Sequence, residues 1–150
     1  MRRALRTNAL VALVLLPIST SGQASPEPGP RCAATSAVGP CFRVHGRLFA
    51  ANGAPTFRIW VVGTRRILGV HGDDAEAGRP TGYPACLVPH IGFDKNLYAD
   101  FTVCPVAPDR PGRMRPVCIE SASNLVSEEA GAAGDRQRVR KIEGTCTDPR

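Results

Sequence analysis

The chain has 150 residues, with 19 Lys and Arg against 13 Asp and Glu. This length fits one domain with a single modest core. Three of the basic residues, Arg2, Arg3 and Arg6, lie at the very N-terminus, and without them 16 basic residues face 13 acidic ones, a net charge of +3. That charge is too small to indicate nucleic-acid binding, so no nucleic-acid partner is expected.

The N-terminus has the pattern of a cleavable secretory signal. A cationic start precedes the uncharged, mostly apolar residues 9–18, which are about half as many as the ~20 that cross a bilayer as a helix. Small side chains at Gly22 and Ala24 predict cleavage after Ala24. We therefore predict a signal peptide at 1–24, a mature protein that is secreted or periplasmic, and no membrane span after cleavage.

All six cysteines follow this segment: Cys32, Cys41, Cys86, Cys104, Cys118 and Cys146. An even number in a chain bound for an oxidising compartment predicts three disulfides, although sequence alone does not select their pairing. Two local pairs fit the spacing, Cys32 with Cys41 and Cys104 with Cys118, and they leave Cys86 for Cys146. No Cys-x-x-Cys spacing occurs, so we expect neither a metal nor a cofactor.

The first part of the mature chain changes from a Pro/Gly-rich lead at 25–40 to a pattern of short strands. Residues 41–50 and 57–62 alternate apolar and polar side chains around an Asn-Gly turn, and 66–70 is a third short run. Three such runs are typical of an antiparallel meander. The apolar positions that should face a core are Phe42, Val44, Leu48, Phe57, Ile59 and Val61.

The second part is less regular. Residues 71–96 are rich in glycine and proline and predict a long loop that is either functional or disordered. Strand patterns return at 98–105 and 115–120, on either side of a turn-like segment. Residues 121–129 fit either a strand extension or a short helix. A Gly/Ala-rich, basic tail follows.

These elements predict an all-β fold, a small antiparallel β-sandwich with disulfides, with a small β-barrel as the alternative. One β-rich domain is expected at 41–128. The tail at 129–150 is expected to be tied to that domain through Cys146. Its basic stretch fits either a disordered tail or a binding arm, and comprises Arg136, Arg138, Arg140 and Lys141.

Several runs of the sequence resemble a family of uncharacterised small exported bacterial proteins. The runs are residues 41–48, 52–60, 63–70, 100–105 and 117–120. This resemblance covers roughly Cys41 to Val126, implies export and the extent of the domain, and carries over no functional residue. A looser similarity to prealbumin-like accessory domains rests on a Gly-Arg-Leu strand followed by an Asn-Gly-x-Pro turn, and implies a sandwich at the level of fold only.

The polar side of the first two strands is the candidate ligand-binding surface. Its predicted binding residues are Arg43, Arg47, Arg58 and Trp60, with His45 among them. Guanidinium groups suit carboxylate, sulfate or phosphate, and an exposed indole suits a sugar ring or another protein. The expected partner is thus a protein, a glycan or a small anionic ligand. The alternatives are a merely solvated face, or a second inner face with Trp60 buried.

Catalytic and metal-binding patterns are weak in this sequence. There is no Gly-x-Ser-x-Gly turn for a serine nucleophile. The histidines His45, His71 and His90 lie in different segments and lack the spacing of metal ligands, and Asp73 with Asp74 offers too few oxygen ligands for calcium. No catalytic residue and no metal ligand is therefore predicted.

The leading interpretation is an exported, non-enzymatic β-domain that binds another macromolecule or an anionic ligand. One alternative is a secreted hydrolase or other enzyme with its site in the loop at 71–96. The other is a structural protein of the cell envelope.

Overall fold

The computed structural model describes residues 32–33, 37–72, 82–129 and 138–148. The predicted signal peptide at 1–24, most of the lead at 25–40, the pair Asp73 and Asp74, and Arg136 lie outside the described residues. None of the helices in the described ranges is long and apolar enough to cross a membrane.

The described residues form a sheet of seven strands and one 3₁₀ helix. The strands are β1 Phe42–Ala50, β2 Phe57–Val61, β3 Ile67–Val70, β4 Lys95–Pro105, β5 Arg115–Glu129, β6 Arg138–Ile142 and β7 Cys146–Thr147, and helix η1 spans Ala85–His90 between β3 and β4. The predicted all-β class is confirmed. The loop expected at 71–96 contains η1 and the start of β4.

Five of the strands close into a barrel. β1 pairs antiparallel with β2 and β4, β2 with β3, and β4 with β5. The ring closes where Leu68–Val70 of β3 run parallel to Arg115–Val117 of β5. The order of strands around the ring is β1-β2-β3-β5-β4-β1. The sequence favoured a two-sheet sandwich, but the pairings describe its alternative, a small β-barrel, because a single sheet curls back on itself.

Strand β5 reaches around the barrel because it is long and contains two bulges. It has 15 residues, and its pairing with β4 shifts between Tyr98 and Asp100 and again between Thr102 and Val103. Each shift adds a residue to β5, which bends and twists the strand. As a result the buried residues Ile119, Ala122 and Leu125 are spaced by three. A spacing of three also occurs along one face of a helix, so the periodicity of β5 does not by itself distinguish a strand from a helix.

The barrel interior holds the main hydrophobic core. Leu48 of β1 and Ile59 of β2 are fully buried in it, while Phe42, Val44, Phe57 and Val61 pack against it partly buried. The inward phase predicted for both strands is therefore correct. Gly46 also points inward, and a Cβ there would lie 2.5 Å from Cγ2 of Ile59. A larger residue at this position would have to displace the side chain of Ile59.

The prediction of three disulfides is confirmed, and none of the six cysteines is free. The pairing of Cys86 with Cys146 is correct, but the two local pairs are wrong: the bonds join Cys32 to Cys118 and Cys41 to Cys104. Cys104 lies opposite Cys118 in the pairing of β4 with β5 but is not bonded to it. Its disulfide partner is Cys41, which directly precedes β1, the strand on the other side of β4, and the Cα atoms of Cys41 and Cys104 are 4.0 Å apart.

These two disulfides form a small buried cluster of their own at one end of the barrel. All four sulfur-bearing residues are 0% exposed, with Ala37 and Val106 packed beside them. The backbone N–H of Cys32 donates to Oε2 of Glu120 at 3.0 Å, which anchors the lead segment to the second bulge of β5. The cluster therefore ties the chain preceding β1 to the barrel.

The sheet continues past the predicted domain end at residue 128. Strand β6 pairs with Leu125–Glu129 of β5, and β7 pairs with Ser121 and Ala122. The disulfide from Cys146 in β7 reaches Cys86 in η1. The segment expected to be a basic tail thus contributes two strands to the fold.

Candidate ligand-binding face

The outward side chains of β1, β2 and β4 form one continuous surface, which we call the arginine face. Its members are Arg43, His45, Arg47 and Phe49 of β1, Arg58 and Trp60 of β2, and Tyr98 and Asp100 of β4. In register, Arg47 lies between Trp60 on one side and Tyr98 on the other. All four residues predicted to bind a ligand therefore lie on this face, and the alternative with Trp60 in a second inner face is not what the structure has.

Arg47 occupies the centre of the face. Its guanidinium carbon lies 5.1 Å from the ring centroid of Phe49 and 5.4 Å from that of Trp60, within the range of cation–π attraction. Its Nε atom is buried and has no hydrogen-bond partner among the described residues, and none of their carboxylates forms an ion pair with Arg47. The aromatic rings thus hold a cation in place without neutralising it.

Trp60 is fixed from the side of the β2–β3 turn. Its Nε1 donates to the carbonyl oxygen of Thr64 at 2.7 Å. The hydroxyl of Thr64 in turn donates to the carbonyl of Val61 and accepts from the backbone N–H of Arg66. Since the only polar atom of the indole is already bonded, Trp60 offers a ligand its ring rather than a hydrogen bond.

Arg58 has a different role from the other arginines. Its Nε donates to the carbonyl of Pro55 and its Nη2 to the carbonyl of Asn52, each at 3.0 Å. Pro55 packs over Gly69 of β3, where an added Cβ would lie 2.6 Å from the proline Cγ. Arg58 therefore clamps the β1–β2 loop onto the barrel, and two of its five N–H donors are used there.

Arg43 lies at the other end of the face from Phe49. It is exposed, lies opposite Thr102 of β4, and makes no ion pair within the described ranges. Arg43 and Arg47 are thus two cations on β1, a strand that contains no acidic residue.

An oriented histidine stands between these two arginines. Nδ1 of His45 lies 2.8 Å from Oδ1 of Asp100, and Nδ2 of Asn124 donates to Oδ2 of Asp100 at 2.7 Å. The hydrogen bond from Asn124 and then that with His45 lower the pKa of Asp100, because both stabilise the carboxylate. Asn124 lies at the first bulge of β5 with a left-handed φ of 54°, a conformation that asparagine tolerates.

Sequence reasoning placed His45 on this face but missed its partners. Alternation along 98–105 indicates that Asp100 points outward, which was a usable signal. Nothing in the sequence could bring Asn124 to the same carboxylate, because its position depends on a bulge that shifts the register of β5 against β4.

The other candidate sites do not assemble in the described residues. Cys32, Cys104 and Glu120 are the one group of potential ligand atoms within 4.8 Å of one another there, but both cysteines are disulfide-bonded. His71 is exposed. Burial, followed by the nearby charges of Lys95 and Arg140, lowers the pKa of His90, which favours a neutral ring.

Comparison with protein-family models, with curated proteins and with solved structures finds no match for this chain. The two resemblances drawn from the sequence thus stay predictions. What the arginine face does must be inferred from its own chemistry.

Proposed function

We propose that this protein is an exported, non-enzymatic β-barrel domain that binds an anionic ligand, free or as part of another macromolecule, through the arginine face. Export is supported by the pattern of residues 1–24 and by three disulfides, which form and persist in oxidising compartments. A barrel topology by itself assigns no function, so the proposal rests on the side chains.

The observation that carries the proposal is the state of Arg47. A half-buried guanidinium normally has an acceptor, because partial removal from water weakens its solvation. Here the rings of Phe49 and Trp60 lie beside it, and no acidic group of the described residues pairs with it. An anion arriving from outside would supply the missing acceptor, with Arg43 adding a second positive charge on the same strand.

The acidic residue of the face, Asp100, offsets only part of this positive charge. Both carboxylate oxygens of Asp100 are already hydrogen-bonded, one to His45 and the other to Asn124. Asp100 therefore orients His45, and although its carboxylate interacts electrostatically with Arg43, it forms no ion pair with either arginine.

The test compares two double variants with the same change in charge. Arg43→Ala with Arg47→Ala alters the arginine face, while Arg110→Ala with Arg113→Ala removes two exposed arginines from the β4–β5 loop. The mature, disulfide-bonded protein is applied to a heparin column and eluted with salt. We expect the first variant to elute at clearly lower salt than wild type, because it lacks two cations that bind heparin and less salt is then needed to screen the remaining attraction. The second variant should elute close to wild type.

An equal shift for both variants would mean that only the overall charge matters, and the proposal would then be wrong. Thermal melts of both variants serve as the folding control.

A further inference from the structure

Cations and a hydrogen-bond acceptor alternate along the arginine face. Arg43, His45 and Arg47 are successive outward residues of β1. At a strand rise of about 3.3 Å per residue, Arg43 and Arg47 start from backbone positions ~13 Å apart. A single sulfate or phosphate group is far smaller than that. The guanidinium of Arg47 also lies over Phe49, on the side away from Arg43. A ligand that contacts both arginines as they stand is therefore an extended one with more than one negative charge.

The group between the two cations is His45, whose Nδ1 faces the carboxylate of Asp100. A carboxylate can only accept hydrogen bonds, so the Nδ1 of His45 that contacts Asp100 carries the hydrogen. In the neutral imidazole the opposite nitrogen, Nε2, then has a lone pair and no hydrogen. The His45 side chain is 57% exposed, so Nε2 is available to a ligand. In this neutral form Nε2 accepts from a hydroxyl or N–H group and has no hydrogen to donate to a bare anion.

Asp100 and Asn124 are the positioning residues for this acceptor. Asn124 holds the second oxygen of Asp100, and Asp100 holds the ring of His45. The carboxylate also places one negative charge beside the two arginines, which reduces the attraction for any polyanion. A ligand that only supplies charge is thereby disfavoured relative to one that also donates a hydrogen bond to His45.

Beside Arg47 the face is apolar. The rings of Phe49 and Trp60 border the guanidinium, and Tyr98 lies opposite Arg47 on β4. The indole of Trp60 presents its ring because its N–H is already bonded. Flat aromatic side chains provide area for packing against the carbon skeleton of a ring. A linear phosphate polymer has no such skeleton to pack.

From these features we infer that the ligand is an acidic carbohydrate chain, in which negative groups are separated by sugar rings bearing hydroxyls. Arg43 and Arg47 contact its charges, Nε2 of His45 accepts from a hydroxyl, and the aromatic residues pack against a ring. This inference rests on the proposed function and narrows it to one chemical class.

The experiment uses two carboxylate polymers of matched charge number. Oligogalacturonate carries hydroxyls between its carboxylates, and an acrylate oligomer carries none. Calorimetry with the mature protein at neutral pH and low salt should show tighter binding of oligogalacturonate by about tenfold, the order expected for one hydrogen bond. Inorganic polyphosphate, as a third probe, should bind no better than acrylate.

Two variants separate the role of His45 from a structural effect. His45→Ala should weaken oligogalacturonate binding about tenfold and leave acrylate binding unchanged. Asp100→Ala removes a negative charge and the support of His45, so acrylate binding should strengthen while the preference for the sugar chain falls. A merely structural role for Asp100 would weaken both ligands together.

The outcomes for the inference and for the proposed function are distinct. If wild type binds both polymers equally, or binds polyphosphate best, and His45→Ala has no selective effect, the carbohydrate inference is overturned while anion binding stands. If no polymer binds, or if binding survives loss of both Arg43 and Arg47, the proposed function itself fails.

Discussion

The inner and outer faces of β1 and β2 are formed by alternate residues of the same two strands, yet different forces hold them. On the inner face, Leu48 and Ile59 are completely buried and Gly46 leaves no room for a single added carbon. On the outer face, Arg47 and Trp60 are half-buried and held by ring contacts and one bond to a turn carbonyl. Substitutions should therefore affect unfolding on one side of a strand and ligand binding on the other.

The largest effects are expected on the inner face. Ile59→Ala should lower the free energy of unfolding by about 2–5 kcal/mol, because it leaves a cavity in the core. Gly46→Ala should cost about 1–3 kcal/mol, because its new Cβ would meet Cγ2 of Ile59 at 2.5 Å. Since Ile59→Ala removes that methyl group, the double variant should lose less than the two single losses added.

Urea denaturation of the four proteins measures this coupling. Strictly additive losses would show that Gly46 is not constrained by Ile59. Arg43→Ala, an exposed change on the same strand, is the control and should shift stability by less than ~0.5 kcal/mol.

An intermediate effect is expected at Arg58, which lies on the outer face but serves the fold. Arg58→Ala removes two hydrogen bonds to loop carbonyls and should cost about 1 kcal/mol. The loss should be local, so backbone amides near the β1–β2 loop should exchange faster with solvent, while those of the core strands change little.

Arg58→Lys is the matched control for charge. Lysine cannot reproduce the two-pronged contact of a guanidinium, so this variant should lose stability almost as Arg58→Ala does. Full rescue by lysine would show that the positive charge, and not the clamp on the loop, is what matters at this position.

The smallest effect concerns Asp100 and depends on pH. Because the pKa of Asp100 is lowered in the folded protein, its ionisation stabilises the fold above the ordinary carboxyl pKa of about 4, and this contribution is lost as the pH falls through the lowered value. Asp100→Asn should thus be less stable than wild type at pH 7, and the difference should shrink towards pH 2.

Thermal melts of both proteins between pH 2 and pH 7 test this linkage. A stability difference that stays constant over the whole range would show that the carboxylate charge contributes nothing. Asp109→Asn is a suitable control, since Asp109 forms an exposed ion pair with Arg66 in the loops, and such pairs contribute little.

The alternation of apolar and polar residues predicted the orientation of the side chains in β1 and β2 better than in β5. Residues 41–50 and 57–61 mostly alternate with a period of two, so their phase placed Arg43, Arg47, Arg58 and Trp60 outside correctly. Within β5 the two bulges break that period, and a strand was there indistinguishable from a helix. The sequence also did not predict the different roles of Arg47 and Arg58. The carbonyl groups that bind Arg58 belong to the β1–β2 loop, and alternation along strands does not predict the conformation of a loop.

The sequence by itself determined the all-β class, the phase of the first strands and the presence of three disulfides, since each follows from local side-chain periodicity or from the number of cysteines. Only the tertiary structure decided the closure of β3 against β5, the exchange of partners between Cys41 and Cys118, and the meeting of His45, Asp100 and Asn124. Each of these joins residues distant in the chain. Their distances are set by strand register and twist, which depend on the packing of the whole barrel.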